Sequence, residues 1–266
     1  MVPVPDHTPR ELLDFYLEAG ADALVGEEAV DRFAPVEAAV PPPRPARQVP
    51  DTATQSRAAP AIAPQAPDEA AMAARAAARS AQSLEELRAI LEKFDGCALK
   101  ATASRLVFAD GNPQSKIMFV GEAPGRDEDI EGLPFVGRSG KLLDRMLAAI
   151  GLDRKAAYIA NIVPWRPPGN RTPTPQESAI CLPFILRQIE LVDPDLLVCL
   201  GGPSAQTLLG IKEGITKSRG RWFDFNNGKR DIKAIATFHP AFLLRSPLQK
   251  RFAWRDMLAI KKALTG

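Results

Sequence analysis

Four short, almost continuously apolar runs recur along the chain, at residues 116–120, 157–163, 195–200 and 232–238. Each is too short for a helix and too apolar for a loop, which suits strands covered on both faces. Amphipathic stretches near 139–150, 175–191 and 203–209 separate them, and another follows near 249–264. Strands alternating with helices predict an α/β fold: a central, mainly parallel four-stranded sheet with helices on both faces. Right-handed crossovers line up the loops after all four strands along one edge, where open α/β sheets bind ligands. Those loops are 121–137, 161–174, 201–204 and 239–247, so the chemistry is expected there.

The chain before this pattern reads differently. Thr8-Pro9-Arg10-Glu11 is a helix-start signal, and Leu12, Leu13, Tyr16 and Leu17 share one face. Residues 1–34 are therefore expected to form a tail with an amphipathic helix, the attachment point for a protein partner. From Pro35 the chain turns rich in Pro and Ala, with few bulky side chains to offset the entropy of ordering it. Residues 35–82 are expected to be a flexible linker, in which 68–80 has high helix propensity but little to anchor it. A capping box, Ser83 to Glu86, opens the compact domain, 83–266.

A formal net charge of +2 is too small to argue for nucleic acid, although Lys and Arg collect between Lys212 and Arg255. Cys97, Cys181 and Cys199 are odd in number and unpatterned, which argues against a disulfide scaffold and for a reduced setting. No CxxC pair supports a zinc site, and no apolar run has the length of a membrane span. A soluble, cytoplasmic monomer is expected, without a membrane partner.

Gly121-Glu122-Ala123-Pro124-Gly125 forces a tight loop at a strand's carboxyl end. Asp127, Glu128, Asp129 and Glu131 follow before Phe135 brings back an aromatic ring, making one wall of a pocket. Asn161 interrupts an apolar strand. It is either a buried amide satisfied by backbone or a donor–acceptor pair that reads a base edge. The Pro-braced stretch from Trp165 to Arg171 is either a phosphate contact or a rigid turn. His239 stands at a strand end beside the other loops, a placement that favours catalysis over a structural role. Leu243, Leu244 and Arg245 combine apolar and basic side chains suited to entering a base stack or to packing in the core. No Walker A loop or dinucleotide fingerprint occurs, which disfavours nucleotide hydrolysis.

The Gly121–Gly125 loop with Asp127 and Asp129, Pro134-Phe135-Val136-Gly137, Asn161, Arg166 to Arg171 and His239-Pro240-Ala241 resemble family 4 uracil-DNA glycosylases, over roughly residues 85–264. The resemblance implies the uracil-DNA glycosylase fold. It also implies a monofunctional DNA glycosylase that flips uracil out of DNA and hydrolyses its N-glycosidic bond, starting base excision repair. A non-catalytic or trapping protein for uracil or damaged DNA is the alternative. By resemblance, Phe135 stacks on the base, Asn161 binds its polar edge, the backbone at Glu122 and Ala123 lines the pocket, and His239 donates to uracil O2. Glu122 and Glu128 match carboxylates tied to activity, with Glu128 first and Asp127 second as water activator. Leu243 fills the gap in the duplex, while Asn170, Arg171, Leu244 and Arg245 contact DNA. The family carries a 4Fe–4S cluster on four cysteines, but the corresponding positions here read Phe94, Cys97, Trp165 and Cys181. No iron–sulfur cluster, other cofactor or metal is therefore expected, with Trp165 filling the vacated space. The resemblance further implies a bacterial, nucleoid-associated protein acting on uracil-containing DNA, with free uracil as product.

Overall fold

The computed structural model describes residues 67–265; the expected tail of 1–34, and the linker as far as residue 66, lie outside the described residues. Six strands form the sheet: β1 (Asp110–Gly111), β2 (Ile117–Gly121), β3 (Tyr158–Asn161), β4 (Leu196–Leu200), β5 (Trp222–Asn226) and β6 (Asp231–Thr237). Their order is β1-β3-β2-β4-β6-β5. The four expected strands are the central ones, and the pairings among them are parallel. The expectation of four strands is corrected by β1 and β5, which add antiparallel edges on β3 and β6. They escaped the apolar pattern because an edge strand is only partly covered: in β5 Phe225 is buried while Trp222 and Asp224 are exposed.

The helices are α1 (Pro67–Ser80), α2 (Leu84–Lys93), α3 (Arg126–Glu131), α4 (Arg138–Ala149), α5 (Pro175–Val192), α6 (Gly202–Leu209), α7 (Ile215–Ser218), α8 (Pro240–Arg245) and α9 (Lys250–Thr265). They cover both sheet faces. Met118 and Val120 of β2 share a core with Phe184, Ile185 and Ile189 of α5. Ile117 and Phe119, pointing the other way, pack with Leu143 and Leu147 of α4 and Met257 and Ile260 of α9. Burial from both sides is why β2 reads as an unbroken apolar run.

Residues 67–80 are not linker. Ala70, Ala74, Ala78 and Ala81 are buried, and α1 lies along α5. Arg187 of α5 adds two hydrogen bonds to the Ala81 carbonyl, at 3.1 and 2.6 Å. A methyl on every fourth residue lets two helices approach closely, yet it is too small to register as an apolar face in a sequence read for Leu and Ile. Half of the expected capping box forms at α2: Ser83 Oγ accepts from the Glu86 N–H at 3.2 Å, while the Glu86 carboxylate accepts from the Gln82 N–H at 2.7 Å rather than from Ser83. A complete one opens α5, with Thr174 Oγ1 accepting from the Glu177 N–H and Glu177 accepting from the Thr174 N–H.

Parallel pairing brings the carboxyl ends of the central strands to one edge. Gly121 pairs with Asn161 across β2 and β3. The Gly201 N–H donates to the Thr237 carbonyl at 2.8 Å, joining the ends of β4 and β6. The expected 239–247 loop is instead the short helix α8, and that turn decides which of its leucines face inward.

Candidate active site

At this edge lies a cavity of about 600 Å³, lined by residues of all four loops, among them Glu122, Phe135, Asn161, Gly201 and His239. Asn161 is 4% exposed, and its Oδ1 is buried with no protein hydrogen-bond partner. An orphaned buried carbonyl oxygen costs about 1–3 kcal/mol, a cost recovered when a ligand donates to it. Gly121 keeps the space in front of it open: a Cβ there would sit 2.3 Å from Asn161 Oδ1 and 2.7 Å from Phe135 Cζ.

Phe135 is buried and held at φ +55, a left-handed conformation that a side chain of this size rarely adopts. Its surroundings over-determine it. Arg154 donates to the Pro134 carbonyl at 3.1 Å and to the Phe135 carbonyl, and is itself fixed by Asp110 and Asp144. Gly140 lets α4 pass under the loop, since a Cβ there would fall 1.7 Å from the Phe135 carbonyl oxygen. The Phe135 ring ends 5.4 Å, centroid to centroid, from the His239 ring.

His239 is the N-cap of α8, and its Nδ1 accepts from the Ala241 N–H at 3.1 Å. A nitrogen that accepts carries no proton, so the neutral ring bears its hydrogen on Nε2. Burial, and then the charge of Arg245, push its pKa down to about 4, so the ring is neutral at physiological pH. A buried network stands behind it: Thr237, two residues earlier, donates to Asp256 at 2.7 Å, and Arg219 also bonds Asp256. Arg154, Gly140, Arg219 and Asp256 were invisible to sequence reasoning because each acts on a residue distant in the chain.

The carboxylates divide in a way the sequence did not show. Glu128, the expected water activator, is 7% exposed and accepts from three backbone N–H groups: Gly125 at 3.1 Å, Val136 at 3.1 Å and Gly137 at 3.0 Å. Glu128 borders the cavity, and those bonds close the 125–137 loop and engage both of its oxygens. Asp127, the second choice, is exposed and borders a neighbouring groove rather than the cavity. Asp129 Oδ1 ties down Ser104 and Arg105 through their N–H groups, at 2.7 and 3.2 Å. Glu122 is different. It lines the cavity with Oε1 buried and unpartnered, and burial raises its pKa, with the Thr172 hydroxyl acting against the rise.

Around the mouth, Ala123 and the expected DNA contacts Asn170, Arg171 and Arg245 border the cavity. Arg171 is held by Glu177 through two bonds, at 2.9 and 2.7 Å, and Asn170 Oδ1 accepts from Arg166 at 2.7 Å, so these side chains brace their own loop. Arg245 is exposed and borders the adjoining groove with Arg126 and Arg138. None of these three has an acidic partner among the described residues. The expected wedge, Leu243, is 1% exposed and packs with Phe238 and Ala253, because α8 turns it inward. Leu244 and Leu248, 37% and 85% exposed, are left at the surface within the 239–249 segment.

The sequence model of the uracil DNA glycosylase superfamily matches residues 108–258, a span that contains every one of these cavity residues. The chain belongs to that superfamily. A type-4 uracil-DNA glycosylase of Thermotoga maritima is 46% identical over 167 residues, which is 61% of this chain and 85% of the relative. Those of Archaeoglobus fulgidus and Saccharolobus solfataricus are 41% and 39% identical, covering 62% and 66% of this chain and 85% and 84% of theirs.

The family 4 cluster does not suit the residues of this superfamily member. Two thiols are present where four would be needed, and they touch: Cys97 Sγ and Cys181 Sγ are 3.8 Å apart, both buried. At the other two positions Phe94 packs edge-on to Phe184, with centroids 5.1 Å apart, and Trp165 is 2% exposed in the same core cluster. Hydrocarbon occupies the positions that would supply the remaining ligands.

Proposed function

We propose that this protein is a monofunctional uracil-DNA glycosylase, hydrolysing the N-glycosidic bond of uracil in DNA at the start of base excision repair, without an iron–sulfur cluster. The observation that carries the reading is the pairing of Asn161 and His239 across one cavity. The orphaned Oδ1 of Asn161 meets the N3–H of uracil while its NH2 meets O4, an order of acceptor and donor that cytosine reverses. Phe135 supplies a face for the flipped base, and extrusion is cheapest for a mispaired base.

As the glycosidic bond breaks, its electron pair leaves with uracil and negative charge grows on O2. A neutral His239, pinned through Nδ1, presents Nε2–H to that charge without having to reorganise. The sugar left behind carries positive charge at C1′. Glu122 takes the role first expected of Glu128. It is the cavity carboxylate with a free buried oxygen, and its raised pKa makes it a better base for the attacking water. Arg126, Arg138 and Arg245 line the groove beside the pocket and give the DNA phosphates a landing surface, with Leu244 and Leu248 in place of Leu243 against the opened base stack.

The test is alkali cleavage of a uracil-containing oligonucleotide by wild type, Asn161→Ala and His239→Ala. Wild type should leave abasic sites, and each variant should lose about 100-fold or more in kcat. Binding of the oligonucleotide with uracil left in place by wild type would replace the enzyme with a uracil-binding protein.

A further inference from the structure

Cys97 and Cys181 are separated by 84 positions in the chain, yet their sulfurs are in contact at 3.8 Å. Cys97 sits at the start of the 3-10 turn Ala98–Ala101, which follows α2, and Cys181 lies in α5. Neither lines the catalytic cavity. Among the described residues, no third His, Cys, Asp or Glu joins them in a group that could hold a metal ion. The remaining cysteine, Cys199, is buried separately in β4.

We propose that Cys97 and Cys181 form an oxidative modification site, at which a hydroperoxide converts the thiol pair into a disulfide that fastens the α2 segment to α5. Two sulfurs 3.8 Å apart have about 1.8 Å to close before they reach the disulfide bond length of about 2.05 Å. In the first step the Cys97 sulfur attacks one peroxide oxygen, the O–O bond breaks, and water and a sulfenic acid result. In the second, the Cys181 sulfur attacks the sulfenic sulfur, the S–O bond breaks, and a second water leaves. Two thiols and one hydrogen peroxide give one disulfide and two waters, with two electrons passing from sulfur to the peroxide. The crosslink closes a loop containing β2, β3 and two of the four pocket loops, 121–137 and 161–174, so the unfolded chain is restrained and the folded state gains.

The full-length protein is exposed to hydrogen peroxide, the excess removed, and free thiols alkylated under denaturing conditions before non-reducing peptide mapping. The expected result is a crosslinked peptide joining Cys97 to Cys181, alkylation at Cys199 alone, and recovery of all three thiols with dithiothreitol. Peroxide should also raise Tm by about 5 °C in wild type and in Cys199→Ser, but not in Cys97→Ser or Cys181→Ser. Three alkylatable cysteines after treatment, a crosslink through Cys199, or oxygen adducts without a crosslink would overturn the assignment. A Cys97–Cys181 crosslink with unchanged Tm would overturn the fastening. The peptide map of the unmutated chain needs no variant to fold.

Discussion

The catalytic pocket and the packed region around Cys97 and Cys181 are built in opposite ways, one open and lined with polar groups, the other filled. In the pocket, Asn161 Oδ1 and Glu122 Oε1 are buried without partners, and Phe135 is held at φ +55. Each such feature costs about 1–3 kcal/mol and persists where the surroundings enforce it and a ligand resolves it. Around Cys97 the fill is hydrocarbon: Phe94, Phe184 and Trp165 pack into one cluster, and the two thiols face each other. The difference teaches that a supporting region can be held by dry packing while the pocket on the same sheet keeps polar atoms open for a ligand. Its role is to hold shape, and more than one kind of interior can do that.

If the two regions are separable, damage to one should spare the other. The largest effect is expected from Trp165→Ala. Emptying a site that is 2% exposed should cost about 3–5 kcal/mol in urea unfolding, with kcat per folded molecule close to wild type. A collapse of kcat in fully folded Trp165→Ala would show that packing there sets pocket geometry. Gly121→Ala should do the reverse. Its new Cβ would meet Asn161 Oδ1 at 2.3 Å and Phe135 Cζ at 2.7 Å, and excision should fall by about 100-fold while the urea midpoint moves far less. Equal activity in single-turnover assays would remove Asn161 from base recognition.

Glu128→Gln sharpens the comparison inside the pocket itself. Loss of charge from a group accepting three N–H bonds should destabilise by about 2 kcal/mol and lower kcat about tenfold, with the pH profile unchanged. Abolished activity at unchanged stability would return Glu128 to the role of base. The smallest effect concerns pH. An unfolded histidine takes up a proton near pH 6.5, whereas His239 in the fold does so at about 4. Between those values the unfolded state binds more protons, so stability falls as pH is lowered from 6.5 toward 4, and His239→Gln should flatten that slope. In wild type the acid limb of kcat should be set by protonation of Glu122, above the ordinary carboxylate value. In Glu122→Gln the residual activity should hold through pH 6.5 and decline only as pH approaches 4, and a residual decline centred on 6.5 would mean that the ring is not held neutral.

Much of the site was legible because it depends on residue type at strand ends. Gly121, Asn161 and His239 follow apolar runs whose period announces them, and parallel pairing brings them together. Two kinds of feature were not legible. Small side chains hid α1, since Ala70, Ala74 and Ala78 acquire meaning only against the facing surface of α5. Direction hid the leucines: Leu243 and Leu244 are adjacent and chemically identical, and the turn of α8 alone buries one and exposes the other.

The positions of the four central strands, the edge where the loops gather and the identities Phe94 and Trp165 were fixed by local sequence, because hydrophobic period and residue identity are local properties. Which carboxylate is spoken for, which is free, and that two thiols 84 positions apart touch were decided only by the tertiary structure. The three N–H groups on Glu128, the vacant oxygen of Glu122 and the contact between Cys97 and Cys181 all arise from segments that meet only when the chain folds.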